Sequence, residues 1–247
     1  MSFSSAGTAT IPPDTFRVGN VLNRSVGVFS RHFPLFFLVA AVPQITTLLG
    51  LFITPVLHPP GAATIAWYGI LVILVLMPIA QTIVYHAAFQ DMLGRPIRFN
   101  DSLTYALRRF LPVLGTMICM GLAIGVGFVL LIVPGVILGT VLAVAVPVSV
   151  VEQQGVFASL GRSAELTKGN RWKILGIGLM LLVASMASSG IALICRFALG
   201  AMLGGLVAFA AQVVVNAYFS VAGAVLYHDL RVAKEGVDTG RIAAVFD

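Results

Sequence analysis

Charge is what this chain has least of: Asp, Glu, Lys and Arg make up 10% of its 247 residues, against about 25% in ordinary soluble domains. Hydrophobic residues fill 59% of it instead. That balance excludes an ordinary water-soluble enzyme, because too little polar surface is left to cover a globule. The charges are also clustered, leaving charge-free stretches at 32–90, 110–151, 174–195 and 197–228 that together hold 155 residues. A helix crossing the hydrocarbon core takes about 20 apolar residues, so these stretches suffice for about six or seven spans with their turns. The charged segments between them are too short for a separate catalytic domain.

Cysteine is equally scarce. Cys119 and Cys195 both fall inside apolar runs, about 8 and about 22 residues into their spans, which at 1.5 Å per residue separates them by roughly 20 Å in depth. No disulfide reaches that far, and without neighbouring His or Asp the thiols make no metal site. No metal or cofactor is expected. The opening segment lacks a basic region ahead of an apolar core, so residues 1–13 read as a disordered tail rather than a cleaved signal peptide. Residues 236–247 read as a second, cytoplasmic tail. Between them, 14–235 is expected to form one membrane domain.

Proline and glycine divide the apolar runs. His58-Pro59-Pro60-Gly61 breaks the first and Pro134-Gly135 the second, since Pro cannot continue a helix and Gly permits a turn. A Gly-rich turn at 196–205 joins the last two. The spans so predicted lie near 33–56, 63–89, 111–131, 136–151, 173–194 and 205–228. Fourteen of the 15 Lys and Arg residues fall before span one, between spans two and three, between four and five, or after six; Arg196 alone lies on the other side. By the positive-inside rule both termini are cytoplasmic, and the net charge of +6 reports topology and anionic lipid rather than nucleic acid.

Each outward-going span follows a short amphipathic stretch that ends in a basic and aromatic cluster: Arg31-His32-Phe33-Pro34, Arg108-Arg109-Phe110-Leu111-Pro112 and Arg171-Trp172-Lys173. Leu22 to Ser25 and Leu160 to Ser163 share the pattern Leu-x-Arg-Ser, and Tyr85-His86 recurs as Tyr227-His228. The expected fold is therefore all-α and polytopic: six transmembrane helices in three hairpins, each preceded by a short cytoplasmic amphipathic helix.

Segment 152–172 is the most structured of the cytoplasmic connections. Val156, Phe157, Leu160 and Ala164 recur at helical spacing opposite Arg162, Glu165 and Lys168, and Gly169 offers a left-handed cap. This predicts a helix over 155–168 lying along the headgroups with its apolar face down. Arg162, Lys168, Arg171, Trp172 and Lys173 are the candidate headgroup contacts; a connector that only fixes topology is the alternative.

The run 151–172, from Val151-Glu152-Gln153-Gln154-Gly155 through Leu160-Gly161-Arg162-Ser163-Ala164-Glu165-Leu166 to Thr167-Lys168-Gly169-Asn170-Arg171-Trp172, closely resembles the bacterial membrane domain named after glycerophosphoryl diester phosphodiesterase. Pro134-Gly135 and Leu226-Tyr227-His228-Asp229-Leu230-Arg231 agree with it. The likeness covers about residues 15 to 240. It implies a six-spanning protein of the bacterial inner membrane, a domain sometimes fused to a phosphodiesterase barrel. This chain has no room for that barrel and lacks the clustered Glu, Asp and His that phosphodiester hydrolysis with a bound cation requires. The resemblance therefore carries no catalytic expectation.

Inside the spans no Asp, Glu, Lys or Arg stands at mid-depth, which disfavours a carboxylate-coupled carrier. What remains is neutral polarity, with Gln44, Gln81, His86, Gln212, Asn216 and Ser220 as the candidate interior site; the last three recur every four residues along one stripe. An amide facing lipid has no partner there, so the stripe should face the bundle, either as interhelical glue or as the lining of a ligand cavity. Gly121 and Gly125 are spaced for close helix contact, within the bundle or in a homodimer. The sequence thus reads as a non-catalytic inner-membrane protein, lipid-contacting or anchoring an unknown protein partner. The alternative is a facilitator for a small neutral or amphiphilic solute, and a cavity touching Gln44, Gln81 and Asn216 would favour transport or lipid binding.

Overall fold

Val21, Ser25 and Val28 lie four and three residues apart and are the buried face of the first helix, as helical periodicity requires. The computed structural model describes residues 16–53, 69–70 and 72–235. The tails expected at 1–13 and 236–247, the turn at His58 to Gly61 and the adjoining ends of the first two spans lie outside them. Helix α1 (Val18–Arg31) meets α2 (Phe33–Ile53) at a bend of 92°. His32 leaves helical geometry there, with φ −123° and ψ 33°, and Pro34 falls in the first turn of α2, where its missing N–H is harmless. The bend is clipped from outside: Asp91, at the end of α3 (Met77–Met92), lies 3.0 Å from His32 Nε2 and 3.3 Å from Arg31.

Helix α4 (Phe99–Leu130) runs unbroken for 32 residues. The separate amphipathic helix expected before the third span is thus continuous with it, with Pro112 carried inside the helix, whereas the chain leaves helical geometry at His32 and at Gly169 at the other two junctions. The reversal expected at Pro134-Gly135 instead occurs at Leu131, in extended geometry (φ −165°, ψ 154°), and Pro134 occupies the first turn of α5 (Ile132–Val141). Proline is tolerated at that position, so it marks the start of the helix rather than its break. Gly127 and Gly135 let the two arms touch: a Cβ on Gly135 would stand 2.5 Å from the Phe128 ring.

The fourth span is interrupted between α5 and α6 (Ala145–Val151). Pro147 explains the interruption, since its ring would clash with the carbonyl of residue 143 in a continuous helix. The Val141 carbonyl left there accepts Ser163 Oγ at 2.9 Å and Thr167 Oγ1 at 3.3 Å, both from α7 (Val156–Thr167). The side of α7 that meets the bundle is therefore its serine face. Ser159, Ser163, Leu166 and Thr167 face inward, while Phe157 is 81% exposed. A carbonyl withdrawn from water needs a donor, and the hydroxyls of this face supply it. Gly169, with φ +90°, then turns the chain into α8 (Arg171–Gly200), which reverses at Gly200 into α9 (Met202–Glu235).

All regular structure among the described residues is helical. Four segments are long and apolar enough to cross a membrane: α4, Ile132–Val151, α8 and α9; the bent pair α1 and α2 makes a fifth if counted as one span. The core gathers at the end of the bundle where the basic residues lie, around Val21, Phe36, Val84, Leu166, Ile177, Tyr227 and Leu230.

Candidate functional site

Helical spacing brings one polar stretch from each of several helices to a common cleft. Gln44 follows Pro43 in α2; Gln81 shares a face of α3 with Met77, Ala80 and Val84; Asn216 and Ser220 share one of α9; Ser185 comes from α8. Together they line a cavity of about 310 Å³. Among the described residues, three carboxamides and two hydroxyls stand on otherwise apolar walls, and no ionisable group is among them. Ser220 Oγ donates to the Asn216 carbonyl at 3.1 Å within the helix, which leaves its lone pairs to accept. Such a lining can hydrogen-bond esters, hydroxyls or amides. A second cavity of about 290 Å³ adjoins it between α3, α8 and α9, and Gln81, Phe219 and Ser220 are common to both.

Two expected members stand elsewhere. His86 is five residues beyond Gln81, about 140° further round the helix at 3.6 residues per turn, and it turns to α4. Its Nδ1 lies 2.9 Å from Ser102 Oγ and its ring stacks on Tyr105 at 4.6 Å between centroids. Ser102 is 1% exposed, so the pair braces two helices and presents no nucleophile. Gln212, half-buried on α9, is one turn away from Asn216 and does not line the cleft.

At the basic end, Glu152 organises a network that pattern reading missed. Both its oxygens accept from Arg162 Nε, at 3.2 and 3.1 Å, and Oε1 also accepts from Tyr227 at 2.9 Å. Arg162 further pairs with Glu235, which Arg231 holds at 3.0 Å. The ends of α6 and α9 are thereby tied to α7. Arg162 is accordingly an internal ion-pair partner, not a free headgroup contact. Lys173 also turns inward, donating to the Phe16 carbonyl at 3.1 Å with its ammonium 5.8 Å from that ring's centroid. Lys168, Arg171 and Trp172 remain exposed. The repeated Leu-x-Arg-Ser was the available signal: Arg24 pairs with Asp229 at 3.0 Å while Ser25 is buried, as Arg162 pairs with Glu152 while Ser163 is buried.

The small residues divide between the bundle and its surface. Gly121 and Gly125 face outward with no neighbour among the described residues, whereas Gly204 packs on the backbone of Arg196 at the hairpin and Gly223 on Tyr85. Cys119 and Cys195 are free thiols. Comparison with protein-family models, curated proteins and solved structures finds no match to this chain.

Proposed function

We propose that the chain is a non-catalytic integral protein of a bacterial inner membrane, with six spans and both termini cytoplasmic, that holds a lipid or similar amphiphile in the neutral cleft. The convergence of Gln44, Gln81 and Asn216 from three helices on one cavity carries this reading. Amides are costly against hydrocarbon, and lipid-facing positions would select apolar residues there. The resemblance of 151–172 to the phosphodiesterase-type membrane domain agrees with a membrane module. A protein partner or a second copy could use the same module. The adjoining cavity favours a second reading, a facilitator for a neutral or amphiphilic solute, because Gln81 and Ser220 would hand a solute from one space to the other.

Mass spectrometry of the protein purified in mild detergent tests the first reading. A lipid species should remain with the wild type and be lost from Asn216→Leu at unchanged folding; equal retention by the two would overturn it. The topology has its own test in labelling by an impermeant thiol reagent added to intact cells. Phe99→Cys and Gly161→Cys should be protected and Leu199→Cys labelled, and the reverse pattern would invert the orientation.

A further inference from the structure

A third pocket, of about 230 Å³, lies at the basic end where α3 gives way to α4, apart from the interior cleft. Its walls are His86, Gln90, Arg95, Pro96, Arg98 and Asp101. The loop that carries the two arginines is held in place. Arg95 N–H donates to the Gln90 carbonyl at 2.9 Å and Gly94 N–H to that of Asp91 at 3.0 Å, with Gly94 at φ +67°, which is a Schellman closure of α3. Pro96 restricts Arg95 to extended geometry, and Arg98 is extended at φ −115° before α4 begins. The two guanidinium groups are thus delivered from a short, closed turn.

The chemistry of the walls is divided. Arg95 and Arg98 are permanent cations with planar sets of donors suited to phosphate oxygens. Asp101 is an acceptor, and so is Gln90, whose buried Oε1 has no hydrogen-bond partner among the described residues. A dianionic phosphate monoester would meet Asp101 as a like charge. A phosphodiester carrying its own amine or hydroxyl donor uses both halves of the pocket: the phosphate between the arginines, the donor against Asp101 and Gln90.

We infer that this pocket binds the phosphodiester headgroup of a phospholipid whose far end is a hydrogen-bond donor, with phosphoethanolamine the chemical type that fits it. The site is separate from the interior cleft, so either can fail alone.

Binding to the full-length protein, delipidated in detergent, is measured by native mass spectrometry with phosphatidylethanolamine and with phosphatidylglycerol. The double variant Arg95→Gln/Arg98→Gln should lose at least fivefold in phosphatidylethanolamine affinity, while Arg108→Gln, an exposed arginine outside the pocket, should not change it. Asp101→Asn should weaken phosphatidylethanolamine and strengthen phosphatidylglycerol, since it removes the ammonium's partner and an anion's repulsion together. In the unmutated protein, the same lipid should protect Arg95 and Arg98, but not Arg108, from phenylglyoxal. Soluble phosphoethanolamine separates the sources of the group: if it protects the arginines as the lipid does, a free headgroup is sufficient, and if it does not, the acyl-anchored lipid is the ligand. Equal lipid binding by the double variant, an unchanged lipid preference in Asp101→Asn, or absent protection would each overturn the inference.

Discussion

At one end of the bundle Val21, Leu166, Tyr227 and Leu230 are almost wholly buried and ringed by ion pairs, while at the other Val129, Leu130, Ile132, Ile194 and Phe197 stand open at 68% to 86% exposure. In water that contrast would describe a protein half unfolded. In a bilayer it describes two solvents. Hydrocarbon is as apolar as leucine, so nothing drives the open end to close, and helix association there depends on packing and on polar contacts. At the headgroup level water competes, apolar burial regains its driving force, and partly buried charges need partners. The determinants of this fold therefore concentrate at the basic end.

Among substitutions of polar residues, the largest effect should come from breaking the network that closes that end. In Arg162→Leu, Glu152 keeps a side chain only 10% exposed and loses its cation. A fully buried pair broken on one side costs about 3–5 kcal/mol; Arg162 is itself 25% exposed, so about 2–3 kcal/mol is expected after screening. Unfolding in mixed micelles reads it. A loss below about 0.5 kcal/mol would mean that the basic end is no more determined than the open one. Tyr227→Phe removes one bond to the same carboxylate and should cost about 1–2 kcal/mol, less than additively in the double variant because the two share Glu152.

The same contrast governs what could be read without coordinates. The helical class, four of the six expected spans, and the helix over 155–168 found at Val156–Thr167 were legible because they depend on local pattern. So was the meeting of Gln44, Gln81, Asn216 and Ser220, since amides avoid lipid. The facing of α7 was not: its serine side is buried because Pro147 interrupts a helix elsewhere in the chain and exposes a carbonyl. Pro134 misled for a related reason, since proline breaks a helix interior yet begins a helix well. His86 was misassigned by counting polarity without angle. The network in which Arg162 bridges Glu152 and Glu235 spans 83 positions from 152 to 235, and no local spacing reports that.

A smaller effect is expected in the middle of the bundle. Asn216→Leu should change stability by about 1 kcal/mol or less, the scale of one interhelical hydrogen bond in a membrane protein, while removing the retained amphiphile. A stability loss nearing that of Arg162→Leu, with the amphiphile still bound, would make the cleft an extension of the packed end and leave the proposed function without its site.

The smallest effect belongs to the open end. Val129, at 86% exposure on α4, contacts bilayer hydrocarbon on this reading in both the folded state and the inserted, unpacked one, so truncating it removes little that folding gains. Val129→Ala should shift the unfolding free energy by less than about 0.5 kcal/mol. Leu166→Ala, 1% exposed at the other end, should cost about 2–5 kcal/mol as a core deletion. The discriminating variant is Val129→Asn. Placed against hydrocarbon, its amide lacks a partner and should lower membrane insertion or expression more than it lowers stability once inserted. If instead Val129→Ala destabilised the assembled protein by 2 kcal/mol or more, α4 would have to be covered at this position by another chain, and the open end would be an interface between proteins rather than a surface for lipid.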